Sequence, residues 1–237
     1  MGYVTRVNRN ELVRSASTYG LVLRGGFRPA ADDCVPEIQP GQPPLSLVLF
    51  GNAGSSIWQA FSASSEFEDK LPDPLDRWSK RVGEALAKQW QGKPLFPFGG
   101  PPWHPFTRWA QKAEGLQSSR LGMLIHPQFG LWHAYRFAIA FPTRVEGLEE
   151  QAAAPRACDS CSAEPCLGTC PVEAFDGEHY DVASCYTYLQ SHPEAPCHRG
   201  CLARGACPEG GGFRYRDEHA AFHMERFYLA QRCRRGP

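Results

Sequence analysis

The sequence carries no excess of charge: 25 Lys and Arg are balanced by 25 Asp and Glu over 237 residues. That balance removes the basic field with which a chain gathers nucleic acid, and the polybasic patch that holds an anionic membrane. Neither nucleic acid nor membrane is an expected partner. No apolar run reaches the roughly 18 residues that a spanning helix needs. The opening stretch MGYVTRVNRNELVRSASTYG lacks the apolar centre of a secretory signal. Arg6 stands where a myristoylation signal wants Ser or Thr. Ten cysteines are too dilute for a disulfide scaffold, and a chain of this length can build a core without such staples. A reducing, cytoplasmic setting is therefore expected, in which clustered cysteines read as metal ligands before disulfides.

What the chain does have is unevenly placed. Nine of the ten Cys follow residue 157, and all six Trp precede it. Gly and Pro, 23 and 21, predict many turns and short elements. The polar, Ala-rich stretch EGLEEQAAAPRA separates the two compositions, which predicts domains over 1–150 and 151–237. In the first, the apolar run Leu45 to Phe50 reads as a buried strand ending in the turn GNAGSS. Ser55 or Ser56 can cap a helix through Trp58 and Phe61. That turn resembles a phosphate loop only weakly, because it lacks the Walker Lys. Asp73-Pro74 opens the clearest helix, with Leu75, Trp78, Val82, Ala85 or Leu86, and Trp90 at three- and four-residue spacing. Leu121 to Ile125 and Leu131 to Pro142, around HPQFG, read as a strand pair joined by a tight turn. Strands alternating with helices suggest an α/β or α+β layer structure.

The second half carries the chemistry. CDSCSAEPCLGTCP places Cys158, Cys161, Cys166 and Cys170 at C-x2-C-x4-C-x3-C-P. The bacterial iron–sulfur run is C-x2-C-x2-C-x3-C-P, whose fourth Cys ligates the other cluster. A short loop of this kind wraps three thiolates around one cubane, and the proline turns the chain away. Four-cysteine zinc sites share the C-x2-C start but seldom the C-x3-C-P end. A second set follows in Cys185, Cys197, Cys201 and Cys207, the last again before proline. Eight thiolates are the count that two [4Fe–4S] clusters require. Crossed ligation then assigns Cys158, Cys161, Cys166 and Cys207 to one cluster, and Cys170, Cys185, Cys197 and Cys201 to the other. Cys34 and Cys233 are left over as plain thiols. His219 and His223 share a helix face at i and i+4. No Glu follows the first His as in zinc proteases, so they read as packing residues on a helix that covers the clusters.

CPVEAFDGEHYDVASC resembles the segment of epoxyqueuosine reductases that leads from their first cysteine run to an isolated Cys, and the order of the eight cysteines matches that family. RLGMLIHPQFGLWHAYRFAIAFP is similar to the strand–turn–strand of the same family. It looks closer still to the IHP-x-F/Y-G-x-W-x-x-x-R stretch of the vitamin B12-processing, decyanating and dealkylating proteins. FGNAGSSIWQAFSASSEFEDKLPDPLDRWSKRV resembles those proteins too. The resemblance implies a nitroreductase-like α+β domain followed by a small ferredoxin-like domain with two [4Fe–4S] clusters. It also implies cobalamin held without a side-chain ligand from the protein. On that reading His126, Gly130, Trp132 and Arg136 bind the cofactor, Trp132 and Tyr135 as apolar wall and Arg136 as donor to the amide rim. The alternative for the same residues is a packed hairpin with Gly at positive φ. Epoxyqueuosine reductases continue into a helical tRNA domain that this sequence does not contain, and the B12-processing proteins have no iron–sulfur domain. No substrate is carried over from either. The expected function is an oxidoreductase that passes electrons from a donor protein or reductase through its clusters to a corrinoid. A ferredoxin-like carrier or docking module without corrinoid, and a structural zinc protein, are the alternatives.

Overall fold

A computed structural model describes residues 7–148 and 151–235. They divide into two compact units: one runs to Leu116 and resumes over His133–Ala154, and the other joins Gln117–Trp132 to the chain from Pro155 onward. In chain order the elements before the first crossing are α1 (Arg9–Ser17), β1 (Val22–Phe27), β2 (Ser46–Ala53), α2 (Trp58–Ser62), α3 (Ser65–Glu68), α4 (Pro74–Gln89), β3 (Lys93–Leu95) and α5 (Phe106–Glu114). The second unit opens with β4 (Gln117–Ser118) and β5 (Leu124–Ile125), and β6 (His133–Phe141) returns to the first.

The first unit is built on an antiparallel sheet in the order β1-β2-β6-β3. β2 is paired on both edges and buried from Ser46 to Asn52, which explains its unbroken apolar run. Helices α1 and α5 pack on β1, and α4 packs on β6 and β3. Asp73 precedes α4 and Pro74 occupies its first turn, where proline's missing N–H has no helical partner to lose. Leu75, Trp78, Val82 and Leu86 face the core as the spacing predicts, while Ala85 is exposed and Ala87 is buried in its place. Gly83 lets the helix close on the sheet, since a Cβ there would stand 3.0 Å from Phe96 and 3.1 Å from Phe137.

Among the described residues three charged groups are buried in this unit, and each is paired: Arg24, Glu66, and Asp33, which accepts from Lys112 at 2.7 Å. Arg24 is fully buried, donates to Glu114 through Nε at 3.0 Å and Nη2 at 2.8 Å, and lies over the ring of Tyr135. The Tyr135 hydroxyl donates to the same carboxylate. Glu66 accepts from Arg81 at 2.5 and 3.0 Å, and that bond holds its carboxyl down to about 2 from the usual 4.5.

The second unit continues with α6 (Pro165–Gly168), α7 (Val182–Ser191), α8 (Leu202–Ala206) and α9 (Asp217–Arg235). Asp181 caps α7 by accepting from the amides of Ala183 and Ser184, both at 3.0 Å. Helix α9 packs on α7 and on the single turn Pro196–Arg199. The core of this unit is Leu121, Ile125, Leu131, Ala203 and Cys207, with Cys158, Cys166, Cys170 and Cys201 packed against it.

Three expectations are corrected. The helix after GNAGSS is the five-residue α2, with Ile57 rather than a serine at its N-cap. The turn in HPQFG does form, closed by paired His126 and Gly130 amide–carbonyl bonds of 2.9 and 2.8 Å. Its flanks are not partners, however: β5 pairs with β4, whereas β6 pairs with β2 and β3. Periodicity reports that a segment is extended but not which neighbour it meets. Residues 117–132, expected with the first half, belong to the second unit.

The Glu66–Arg81 pair should be visible in acid unfolding. Its folded-state pKa lies below the unfolded one, so its stabilisation is complete above about pH 4.5 and lost as pH falls toward 2. Glu66→Gln is expected to lower stability by about 1 kcal/mol at pH 7, discounted because Arg81 is partly exposed, and by nothing near pH 2. Urea unfolding at the two pH values checks it.

Candidate metal centre

The eight cysteines expected as ligands all lie in the second unit, and all ten cysteines of the chain are free thiols. They are delivered by short elements. Cys158 sits in the turn Ala157–Ser160 and Cys161 directly after it. Cys166 lies in α6, and Cys170 follows that helix at a turn made by Pro171. Cys185 is one turn into α7, Cys197 sits in the turn Pro196–Arg199, and Cys201 and Cys207 bracket α8.

These thiols sort into two groups. Burial pushes the Cys166 thiol up, and Cys158 and Cys161 push it the same way. Burial, then Cys166 and Cys158, raise Cys207. In the other group burial raises Cys185, Cys197 and Cys201, with Cys201 and Cys170 acting on Cys185, Cys201, Cys170 and Cys185 on Cys197, and Cys170 on Cys201. Each of these thiol–thiol influences stays within the crossed sets expected from the spacing. Cys158, Cys161, Cys166 and Cys207 also line one hollow, with Arg120, Ile125, Glu164 and Glu209 among the residues around it. Arg120 donates to Glu164 there at 2.8 Å.

The donor set suits an iron–sulfur cube. Thiols raised by burial and by neighbouring sulfurs, as at Cys166, Cys197 and Cys207, resist joint ionisation, and a polycationic centre relieves this. Backbone N–H groups already point at the sulfurs: Leu167 at Cys166, Ala174 at Cys170 (3.4 Å), Leu202 at Cys197, Ala203 and Arg204 at Cys201, and Glu209 at Cys207. The Tyr180 hydroxyl donates to Cys185. A single zinc needs sulfurs about 3.8 Å apart, from bonds of about 2.3 Å in a tetrahedron. Among the described residues no three of His, Cys, Asp and Glu converge closely enough for one ion.

The residues expected to bind cobalamin do not share one unit. His126, Gly130 and Trp132 are in the second and Arg136 and Tyr135 in the first. The Nδ1 of His126 accepts from the amides of Gln128 and Phe129 in its own turn, at 3.0 and 3.2 Å. Gly130 has φ +56°, and a Cβ on it would stand 2.1 Å from the Glu209 carbonyl oxygen. Trp132 is 6 % exposed, with Tyr215 at its edge and the Arg204 guanidinium over its face. Arg136 meets a carboxylate, donating to Asp76 at 2.6 Å and to Ser79 at 3.0 Å. His219 and His223 sit on α9 with their Nε2 atoms 3.1 Å apart, His219 stacked on Tyr215 and fully buried. Cys34 and Cys233 are exposed. Sequence reasoning missed Tyr180 and Arg204, whose roles depend on contacts that no spacing reveals.

No protein-family model matches the chain, and no curated protein matches its sequence. A solved C. elegans B12-trafficking protein, CblC, is similar to it with a TM-score of 0.50 and 12% identity, over 92% of this chain and 95% of that one. The two share a fold. Epoxyqueuosine reductases are similar at a lower level. The one from Streptococcus thermophilus has a TM-score of 0.48 and 15% identity. One solved with an epoxyqueuosine-modified tRNA-Tyr stem loop has 0.46 and 16%. Each alignment covers 88% of this chain and 67% of the reductase. The α+β fold with an antiparallel sheet is thus common to this chain and CblC. No helix among the described residues is long and apolar enough to cross a membrane.

Crossed ligation has a sharp consequence. Cys207→Ser should damage the centre of the CDSC loop and Cys170→Ser the other, each with loss of about four irons and a lower unfolding midpoint. Iron analysis and EPR of each variant decide; unchanged spectra of both centres in Cys207→Ser would refute the sets. Separately, Arg136→Ala should destabilise the first unit by about 1–2 kcal/mol, because it leaves Asp76 and Ser79 without their donor. Urea unfolding followed by tryptophan fluorescence reads this.

Proposed function

We propose that this chain is an iron–sulfur redox protein of the oxidoreductase class. Cys158, Cys161, Cys166 and Cys207 hold one [4Fe–4S] cluster, Cys170, Cys185, Cys197 and Cys201 hold a second, and a corrinoid is the electron acceptor. The observation that carries the reading is the sorting of eight thiols into two groups of four along the crossed pattern. When bound, the clusters supply one-electron transfer at potentials that hydrogen bonds to sulfur and burial adjust. The protein's part is to present eight thiolates, to aim amide and hydroxyl donors at them, and to cover Cys197 with α9. The fold shared with a B12-trafficking protein supports the corrinoid.

A second reading, an electron carrier or docking module without corrinoid, is favoured by one observation. The guanidinium expected to meet the corrin's amide rim is engaged by Asp76 and Ser79. One preparation separates the two. Anaerobic reconstitution should give about eight irons and eight sulfides per chain. Titration with cob(II)alamin, followed by EPR, should then alter the cobalt signal. An unchanged signal at hundreds of micromolar cobalamin selects the carrier. Iron that levels off near four, or stoichiometric zinc in a colourless protein, overturns the two-cluster reading itself.

A further inference from the structure

The two thiol sets are electrostatically unequal. Each has one buried and three half-buried sulfurs, so exposure does not separate them. Their surroundings do. In the first set, Cys166 accepts from the amides of Cys166 and Leu167, and Cys207 accepts from the amide of Glu209 while feeling that residue's carboxylate. The other charges at its hollow, Arg120 and Glu164, neutralise each other in an ion pair. In the second set, amides reach Cys170 from Ala174, Cys197 from Leu202, and Cys201 from Ala203 and Arg204. The Asp181 carboxylate acts on Cys185, and the Arg204 guanidinium acts on Cys201 with the opposite sign. Arg204 is fixed by bonds of 3.2 and 2.6 Å to the Leu131 carbonyl and by stacking on Trp132 and Tyr215. The Glu209 carboxylate thus acts on the first set, whereas at the second the Asp181 carboxylate is opposed by the Arg204 guanidinium.

The second set has one further donor. It is the hydroxyl of Tyr180, which donates to Cys185. The Tyr180 ring is stacked on Phe175 with centroids 4.4 Å apart and planes 8° apart, and the two residues form a backbone bridge. That anchorage fixes the hydroxyl, and it needs the ring rather than the oxygen, so the donor can be deleted without dismantling its support.

Resting on the two-cluster reading, we propose that the second set holds the higher-potential centre, that Tyr180 is the residue positioned to raise it, and that electrons run from the first set to the second. Reduction adds negative charge to a cluster, so more donors to sulfur and fewer nearby carboxylates favour the reduced form. With both clusters bound, one electron would pass from the first centre to the second, with no bond broken and no proton moved. A low-potential one-electron donor outside the chain refills the first centre, whose thiols line the solvent-facing hollow.

The test is a dithionite titration of the anaerobically reconstituted full chain, followed by EPR, with iron and sulfide measured on the same samples. Two reduction waves are expected. Tyr180→Phe moves the upper wave to lower potential and leaves the lower wave in place, with iron unchanged. Glu209→Gln, acting on the other set, moves the lower wave up and leaves the upper one. If Tyr180→Phe acts on the lower wave, or neither variant shifts a wave while iron stays near eight, the inference fails and the cluster reading stands. If Tyr180→Phe loses iron, Glu209→Gln decides alone: a raised lower wave supports the inference, and a raised upper wave or no shift overturns it. A wild-type chain that takes up no iron overturns both.

Discussion

Thiols gathered at close quarters and partly buried oppose one another's ionisation. Burial pushes the thiols of Cys166, Cys185, Cys197, Cys201 and Cys207 toward the protonated form, and neighbouring sulfurs push the same way, so the arrangement is poor for bare thiolates. The surrounding backbone answers this with amides, supplied by the starts of short helices and by the residues that follow Pro171 and Pro208. That explains why the unit has so many brief elements and so few long ones. A long helix offers few free N–H groups, whereas a tight turn offers several within reach of one sulfur.

The floor beneath the sulfurs comes from elsewhere in the chain. Leu121, Ile125 and Leu131, from the segment 117–132, form the core on which Cys158, Cys166, Cys170 and Cys201 pack. The attachment is made at the backbone. Gly130 and Gly210 each sit where a Cβ would meet the other strand's main chain, at 2.1 and 2.2 Å respectively. Phe129 against Phe213, and Trp132 between Arg204 and Tyr215, extend the seam. The two aromatic residues that read from sequence as one wall of a cofactor site thus divide: Trp132 packs within the second unit, while Tyr135 serves the buried Arg24–Glu114 pair.

The parts legible in the sequence were those governed by local spacing. The strand at Leu45–Phe50, the helix behind Asp73-Pro74 and the i,i+4 histidines on a terminal helix all follow from periods and caps. The grouping of the thiols by mutual influence runs parallel to the crossed reading of their spacing. Strand partners did not follow, because β5 and β6 carry the same apolar signal as a true hairpin. The allotment of 117–132 was hidden too: composition changes near residue 150, but the chain crosses between units earlier and returns. Arg136 was legible as a donor but its acceptor was not, since Asp76 lies 60 positions away with nothing in the sequence to couple them.

The double crossing of the chain also orders its biogenesis. β6 is central to the first sheet and emerges only after the 117–132 excursion, so that sheet cannot close while its last partner is unmade. The excursion itself must then wait with an apolar face uncovered until the cysteine-bearing segment has been synthesised. A fragment started at the compositional boundary would carry every cysteine of the two sets and lack the surface they pack on. The nascent chain, in turn, has Leu121, Ile125 and Leu131 to shelter from other apolar partners until its final third arrives.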